Sequence, residues 1–149
     1  MIIDWGANIK REQFKNVIVK GLKERGMKLT PQRRTIVDIL TLDNCHPSAM
    51  TIYQAAREKH PKISLSTVYS TLSLLKSLKL VRELEFEAMD NRYDMDTSNH
   101  LNLICTRCGR IEDFTDTAMI PPEIVEKLTG FKVQDVRFEY YGVCGKCSQ

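Results

Sequence analysis

One run of the chain reads Ser98-Asn-His-Leu-Asn-Leu-Ile-Cys-Thr-Arg-Cys-Gly-Arg-Ile-Glu-Asp-Phe114, with a histidine, a Cys-x-x-Cys and an acidic pair close together. A second Cys-x-x-Cys lies further along the chain. Both thiolates of such a pair can bind one ion from a tight turn, and two pairs complete a tetrahedron of sulfur ligands. The sequence therefore predicts a closed, structural zinc site made of Cys105, Cys108, Cys144 and Cys147.

The alternative use of a Cys-x-x-Cys is redox chemistry, as in thioredoxin-like proteins. That use needs one pair opening a helix after a strand, whereas this chain carries two matched pairs. Gly109 and Gly145 each follow a cysteine, and we predict that they supply the backbone freedom of the two turns. Cys45 is left over, and we expect a free thiol rather than a sensor.

Length and composition are those of an ordinary soluble protein. The 149 residues suit one medium domain or two small ones, and they are 42% apolar and 28% charged. The chain has no apolar run near the roughly 20 residues that span a bilayer, and its first residues lack the pattern of a secretory signal. We expect a cytoplasmic protein without a membrane partner, in which paired cysteines bind zinc rather than form disulfides.

Charge is divided unevenly along the chain. Residues 1–80 carry 14 Lys/Arg against 6 Asp/Glu, and the remaining residues carry 8 against 13. A basic front part is the electrostatic footprint of a nucleic-acid-binding protein, although basic residues also solvate ordinary helices. The acidic back part is expected to have another task.

Four helices are predicted in the basic part. The first spans 11–25 and stops at Gly26. Its predicted buried face, by helical spacing, is Phe14, Val17, Ile18, Gly21 and Leu22. The second begins at the cap Thr30 and ends at Asp43-Asn44, and the third begins at the cap Ser48.

The fourth helix, at about 64–77, has two different faces. Its apolar stripe is Val68, Leu72 and Leu75, and its other face carries Ser66, Tyr69, Ser70 and Ser73. Small hydroxyls and one tyrosine can approach a phosphate backbone and base edges. Two strand-like runs follow at 80–86 and 92–95, and a hairpin after such helices predicts a winged helix-turn-helix that binds DNA.

After residue 97 the pattern predicts strands at 101–105, 111–114 and 131–141, with a short helix at 121–128 that Gly130 ends. These elements have no sizeable core of their own, which predicts a small α/β module completed by dimerisation.

The predicted fold class is therefore α+β. An N-terminal winged helix-turn-helix domain occupies 1–93 and a hinge lies at about 94–99. A C-terminal α/β dimerisation domain with the four-cysteine zinc site occupies 100–149.

A second set of possible metal ligands is scattered through the chain: His46, Asp94, His100, Asn102 and Asp113. Two imidazoles with carboxylates suit Fe(II), Mn(II) or Zn(II), and the share of oxygen donors favours the harder ions. Spacing alone leaves a simpler role open for His46. It precedes a proline at a helix entrance, where a histidine is often a cap or a surface residue.

Together these motifs resemble those of the ferric uptake regulator family of metal-dependent repressors, over nearly the whole chain. The segments that carry the resemblance are Leu29-Thr-Pro-Gln-Arg33, His46-Pro-Ser-Ala49, Ser66-Thr-Val-Tyr69, Arg92-Tyr-Asp94, His100 through Phe114, and Gly130 through Cys147. The resemblance implies the winged-helix and dimerisation domains, the structural zinc, and a regulatory Fe(II) or Mn(II) site. The ligands that it implies for that site are His46, Asp94, His100 and Asp113.

Two residues make the chain resemble the peroxide-sensing members of that family. Iron-sensing members typically have glutamate at the position of Asp113, and Asp94 is likewise the shorter acid. In those members the bound iron reacts with hydrogen peroxide and oxidises a histidine ligand, and His46 and His100 match the oxidised positions. One ligand departs from the pattern, because Asn102 stands where the family usually has a second histidine. Its carbonyl oxygen is an uncharged and weaker donor, and a water is the alternative ligand.

A further metal site of the family uses histidine in the last strand. This chain has Gln134, Asp135 and Val136 there, so a third metal is not expected.

For DNA, the resemblance places Tyr69 against base edges in the major groove and Lys28 near the minor groove. Further contacts are expected at Ser70, Thr67 and Arg33, and Lys15 is expected to contact phosphate.

The sequence thus predicts a transcriptional repressor, not an enzyme, which binds a double-stranded DNA operator as a homodimer. It is expected to sense hydrogen peroxide and to derepress peroxide-stress genes. The nearest rival function is an iron- or manganese-sensing repressor of the same family. A rival of another class is a zinc-ribbon thiol redox enzyme that uses Cys105 and Cys108.

Overall fold

The computed structural model describes residues 5–42, 46–115 and 119–149, and of residues 5–9 the backbone alone. The chain divides into two compact units, residues 1–97 (unit 1) and 98–149 (unit 2). Unit 1 contains α1 (Trp5–Glu24), α2 (Pro31–Leu40), α3 (Ala49–Lys59), α4 (Leu65–Ser77), β1 (Arg82–Leu84) and β2 (Arg92–Asp94). Unit 2 contains β3 (Leu101–Cys105), β4 (Ile111–Phe114), α5 (Pro122–Thr129) and β5 (Phe138–Gly142).

The α+β class is confirmed. The assignment of 1–93 to DNA binding and of 100–149 to dimerisation stays a prediction. No helix among the described residues is long and apolar enough to cross a membrane.

Side-chain caps begin three helices of unit 1, because their oxygens accept backbone N–H groups that the first turn leaves without a partner. The caps are Thr30, Ser48 and Ser64, which accept from Arg33, Thr51 and Thr67. After α1, Gly26 adopts a φ of 67°, which glycine tolerates best. The stop predicted at Asp43-Asn44 lies outside the described residues, and α2 ends at Leu40.

The core of unit 1 is a cluster of aliphatic side chains contributed by all four helices. Its most buried members include Ile18, Leu22, Ile36, Ile52, Val68, Leu72 and Leu75. The predicted place of Val17 in this face is wrong, since the residue is 59% exposed. It lies about 100° round the helix from Ile18, the neighbour that packs into the core.

Each unit has its own sheet. In unit 1, β1 and β2 pair antiparallel with Glu83 opposite Tyr93. In unit 2 the strand order is β4-β3-β5, with β3 antiparallel to β4 and parallel to β5. The antiparallel pairing places Asn102 directly opposite Asp113.

The last strand is predicted at 131–141 from the sequence, and this extent is wrong. The observed strand β5 is shorter and spans Phe138–Gly142. β3 has five residues, and its parallel register uses all of them against Phe138–Gly142. Two backbone N–H groups ahead of β5 find side-chain acceptors instead. Val133 donates to Glu126 at 3.1 Å, and Val136 donates to Asp135 at 2.9 Å.

Candidate metal centres

The four paired cysteines lie together in unit 2, at the end of β3 and after β5. One sulfur from each of Cys105, Cys108, Cys144 and Cys147 lies within 4.8 Å of all the others. The Cys108 and Cys144 sulfurs are 3.8 Å apart. A tetrahedron with metal–sulfur bonds of about 2.3 Å has edges of about 3.8 Å. The residues therefore fit a tetrahedral zinc ion.

Backbone contacts tie the two cysteine turns to each other. The Thr106 N–H donates to the Gly142 carbonyl at 2.8 Å, and the Arg107 guanidinium donates to the Cys147 carbonyl at 2.7 Å. Gly109 has the left-handed φ of 72° that the first turn requires. The prediction that Gly145 serves the second turn in the same way is wrong. Gly145 is not among the residues with positive φ, and an added Cβ would meet open space.

The surroundings of these thiols separate their pKa values. Backbone N–H groups of Cys144 and Cys108 stabilise the Cys105 thiolate and lower the pKa of Cys105 to about 6. Hydrogen bonds with the sulfurs of Cys144 and Cys108 raise the pKa of Cys147 to about 12. The Cys105 and Cys147 thiols therefore ionise over different pH ranges, as expected where ionisable groups lie close together. A divalent cation is the partner that would allow all four sulfurs to be thiolates.

An imidazole–carboxylate pair lies in unit 1. The Nε2 atom of His46 is 3.4 Å from Oδ2 of Asp94, and both side chains are at least 96% buried. The other carboxylate oxygen, Oδ1, accepts the Asp96 N–H at 2.8 Å, which fixes the orientation of Asp94. Two ligand atoms that are each about 2.1 Å from one ion lie roughly 3.0–3.4 Å apart. The spacing suits two ligands of one metal ion.

A similar pair lies in unit 2. The Nε2 atom of His100 is 3.5 Å from Oδ1 of Asp113. The Nδ1 atom of His100 is 3.0 Å from the Ser98 carbonyl oxygen, which can only accept, so Nδ1 carries the proton. In the neutral ring, that tautomer directs the Nε2 lone pair toward Asp113. A backbone carbonyl on the second ring nitrogen is the usual support of a metal-binding histidine.

Asn102 lies beside this second pair on β3. Its carbonyl oxygen Oδ1 is buried and accepts no hydrogen bond within the described part of the chain. A buried amide oxygen without a donor is costly in an apolar setting and is suited to a cation. The oxygen of Asn102 therefore fits the role of a neutral metal ligand next to Asp113.

The face of α4 predicted to meet DNA is exposed. Ser66, Tyr69, Ser70 and Ser73 all reach solvent, and Tyr69 is 49% exposed. Thr67 is partly withdrawn, because its hydroxyl bonds the Ser64 cap at 2.9 Å. Lys28 is exposed.

Two of the predicted cationic contacts are used within unit 1. The Arg33 guanidinium donates to the Lys28 carbonyl at 2.8 Å. The Lys15 ammonium is 2.6 Å from an Asp38 carboxylate oxygen, so a phosphate would have to compete with this ion pair. Cys45 lies outside the described residues.

A brace that the sequence did not reveal joins α4 to the hairpin. Glu83 on β1 accepts from Lys76 at 2.5 Å and from Asn91 and Tyr93 at 3.1 Å each. Burial acts to raise the pKa of Glu83, but these three hydrogen bonds outweigh it, and the pKa lies below its usual range. The brace fixes the end of α4 against β1 and, through Tyr93, against β2, the strand that carries Asp94. Helix or strand periodicity does not identify it, since its members lie on α4, on β1 and in the hairpin and meet only when the hairpin packs against the helix.

Comparison with known proteins gives one consistent result. Residues 24–141 match the sequence profile of the ferric uptake regulator family. The chain is 41% identical over 129 residues to the peroxide operon regulator of Bacillus subtilis, covering 86% of this chain and 89% of that protein.

Two solved structures are similar along most of their length. One is the Campylobacter jejuni peroxide stress regulator, with a TM-score of 0.69, 33% identity, and coverage of 87% of this chain and 98% of that one. The other is the Helicobacter pylori ferric uptake regulator, described as having three functional metal-binding sites. It has a TM-score of 0.72, 27% identity, and coverage of 93% and 94%.

Proposed function

The chain belongs to the ferric uptake regulator family of metal-dependent repressors, and from that premise we propose that it is a dimeric DNA-binding repressor that senses hydrogen peroxide. The observation that carries this proposal is the presence of two imidazole–carboxylate pairs, His46 with Asp94 and His100 with Asp113, of which Asp113 is partly buried and the other three residues are buried. Similarity to proteins named as peroxide regulators supports the peroxide signal and a regulatory rather than an enzymatic role.

In this proposal a single regulatory ion binds both pairs, with Asn102 as a fifth, neutral donor. The first pair comes from residues before and at the start of the predicted hinge at 94–99, and the second pair comes from residues after it. An ion that binds donors from both sides favours the arrangement of the DNA-binding and dimerisation domains in which all donors meet. The repressor is then competent for its operator only when the ion is bound.

The peroxide response is assigned to the imidazoles. An Fe(II) ion held by these ligands would supply the electrons that activate peroxide. In the net reaction one peroxide oxygen enters an imidazole C–H bond of His46 or His100, and the other oxygen leaves as water. The oxidised ring is a poorer ligand, so the site loses its ion and the repressor leaves the DNA.

Mass spectrometry of the Fe(II)-loaded protein after brief exposure to low peroxide tests this proposal. We expect peptides containing His46 or His100 to gain one oxygen atom, with loss of DNA binding in parallel. The Mn(II)-loaded protein is the matched control, and its histidines are expected to stay unmodified. If DNA binding is lost while neither histidine gains oxygen, peroxide sensing by histidine oxidation is wrong.

A second candidate, an iron- or manganese-sensing repressor, is favoured by one observation. Where the family usually has a second histidine, this chain has Asn102, whose side chain offers an uncharged oxygen instead of an imidazole nitrogen. Oxygen is a harder donor than nitrogen, and oxygen donors suit Mn(II). For that function, DNA binding follows the free concentration of metal and does not respond to low peroxide. The same experiment therefore distinguishes the two candidates.

For DNA recognition we propose the exposed face of α4. Tyr69 and Ser70 would contact base edges in the major groove, and Lys28 would approach the minor groove. Thr67, Arg33 and Lys15 would make supporting contacts, and Lys15 would first have to exchange Asp38 for a phosphate.

Dimerisation is assigned to unit 2, which exposes many large apolar side chains just before α5, on α5 and after it. They are Ile120, Ile124, Leu128, Phe131, Tyr140, Tyr141 and Val143. A largely apolar groove of about 650 Å³ is lined by residues of α5, β5 and the segment before β5. An apolar surface of this extent marks a protein interface, and a second copy of the chain is the proposed occupant.

Changing both Leu128 and Phe131 to aspartate is expected to convert the dimer to monomer, because four charges would be buried at a two-fold interface. Leu128 is 78% exposed and Phe131 66% exposed, so the changes should not disturb unit 2 itself. Sedimentation equilibrium measures the mass. Val17→Asp, at an exposed apolar position on α1, is the control and should stay dimeric. A dimeric double variant would place the interface elsewhere.

A further inference from the structure

His46 has an unusual backbone conformation. Its φ is 47°, in the left-handed region that residues with a side chain seldom adopt. It also precedes Pro47, whose ring restricts the preceding residue toward extended conformations. A conformation of this kind persists where the surrounding structure holds it. The contacts that hold the His46 backbone therefore also determine where its imidazole points.

Strand β2 supplies those contacts. The Arg92 guanidinium Nη1 donates to the His46 carbonyl at 3.2 Å, and the Tyr93 N–H donates to the Pro47 carbonyl at 3.0 Å. Ser48 and Arg92 form an antiparallel bridge. The segment 46–48 thus lies along β2 as a short additional strand.

The far end of that segment is also fixed. The Ser48 hydroxyl accepts the Thr51 N–H at 3.1 Å and so caps α3. At the near end of the segment, the Arg92 side chain bonds the backbone carbonyl of His46 itself. The same strand carries Asp94, whose carboxylate faces the His46 imidazole.

We infer that Arg92 is a positioning residue for the regulatory metal, which keeps His46 in its left-handed conformation and thereby directs the imidazole toward Asp94. The inference rests on the proposed function, since it assumes that His46 is a ligand. An arginine suits this task because its planar group presents several donors in fixed directions. A lysine can make one such bond but with less constraint.

Mn(II) titration of the full-length, zinc-containing protein tests the inference. Arg92→Ala is expected to weaken Mn(II) binding about tenfold or more, as is typical when a group that supports a metal ligand is lost. Arg92→Lys should recover part of the loss. Arg25→Ala is the matched control, because the Arg25 guanidinium also donates to a backbone carbonyl, that of Gly21, at 3.1 Å. Its Mn(II) affinity should equal that of the natural protein.

Two further readouts separate positioning from a general structural role. In a His46→Ala background, Arg92→Ala should weaken Mn(II) binding no further, because the ligand that Arg92 positions is already absent. At saturating Mn(II), the Arg92→Ala protein should bind DNA as tightly as the natural one. Equal and independent losses in the two backgrounds, or weak DNA binding at saturating Mn(II), would overturn the inference.

A measurement without the regulatory metal tests the contact between Arg92 and His46 separately from the proposed function. NMR couplings and chemical shifts of the zinc-only protein report the sign of φ at His46. We expect a positive φ in the natural protein and its loss in Arg92→Ala. A positive φ in both would show that Arg92 does not hold His46. A natural protein that binds neither Mn(II) nor Fe(II) beyond its zinc would instead overturn the proposed function, while the NMR result would still decide the contact.

Discussion

Replacing Cys144 with serine is expected to abolish zinc binding and to unfold unit 2, while unit 1 keeps its helices. Unit 2 has few buried apolar residues, chiefly Leu101, Ile104 and Ile111, so its own core cannot replace the metal. A structural zinc ion contributes about 10–16 kcal/mol in small domains at neutral pH, which equals or exceeds the whole stability of most domains.

Zinc per chain, circular dichroism and sedimentation measure the outcome. The natural protein should hold one zinc ion, and Cys144→Ser should hold none, melt at lower temperature and lose its dimer. Cys45→Ser makes the same chemical change outside the two pairs and should behave as the natural protein. Full zinc content in Cys144→Ser would show that the four sulfurs are not one site.

The second large effect concerns the regulatory ion. Asp94→Asn is expected to weaken Mn(II) binding on the order of 100-fold, because a charged ligand becomes a neutral one beside His46. Metal-dependent DNA binding should be lost at ordinary Mn(II) concentrations. The zinc content should not change, since the cysteine set lies in unit 2.

Calorimetric titration of the zinc-loaded protein measures this effect directly. Asp90→Asn is the matched control, because Asp90 is exposed in the turn between β1 and β2 and offers no buried carboxylate. Its affinity should be unchanged. An Asp94→Asn protein with normal Mn(II) affinity would remove Asp94 from the proposed set of ligands.

The features that could be predicted from the sequence are those with a local cause. Thr30, Ser48 and Ser64 begin helices because their own side chains bond the next turn, and the spacing of Val68, Leu72 and Leu75 fixes which side of α4 is buried. Each cysteine motif is also a local feature, since it fixes two thiolates in one turn.

The features that could not be predicted from the sequence depend on distant parts of the chain. The length of β5 is set by the five residues of β3, which the pattern of 131–141 does not contain. Lys15 reads as a free cation until the fold brings Asp38 to it. The contact of Arg92 with His46 joins residues 46 positions apart, so no periodicity reveals it.

The separation of the two cysteine pairs along the chain has a consequence for synthesis. Cys108 and Cys144 are separated by 36 residues, which a ribosome adds in a few seconds at about 5–20 residues per second. All the core residues of unit 1 have been added to the chain before that interval begins, so unit 1 can fold before unit 2 is complete. A chain interrupted before Cys144 would carry a folded first unit without zinc and without the surface proposed for pairing. Under the proposed function, such a chain would lack both the zinc site and the dimer surface that a repressor needs.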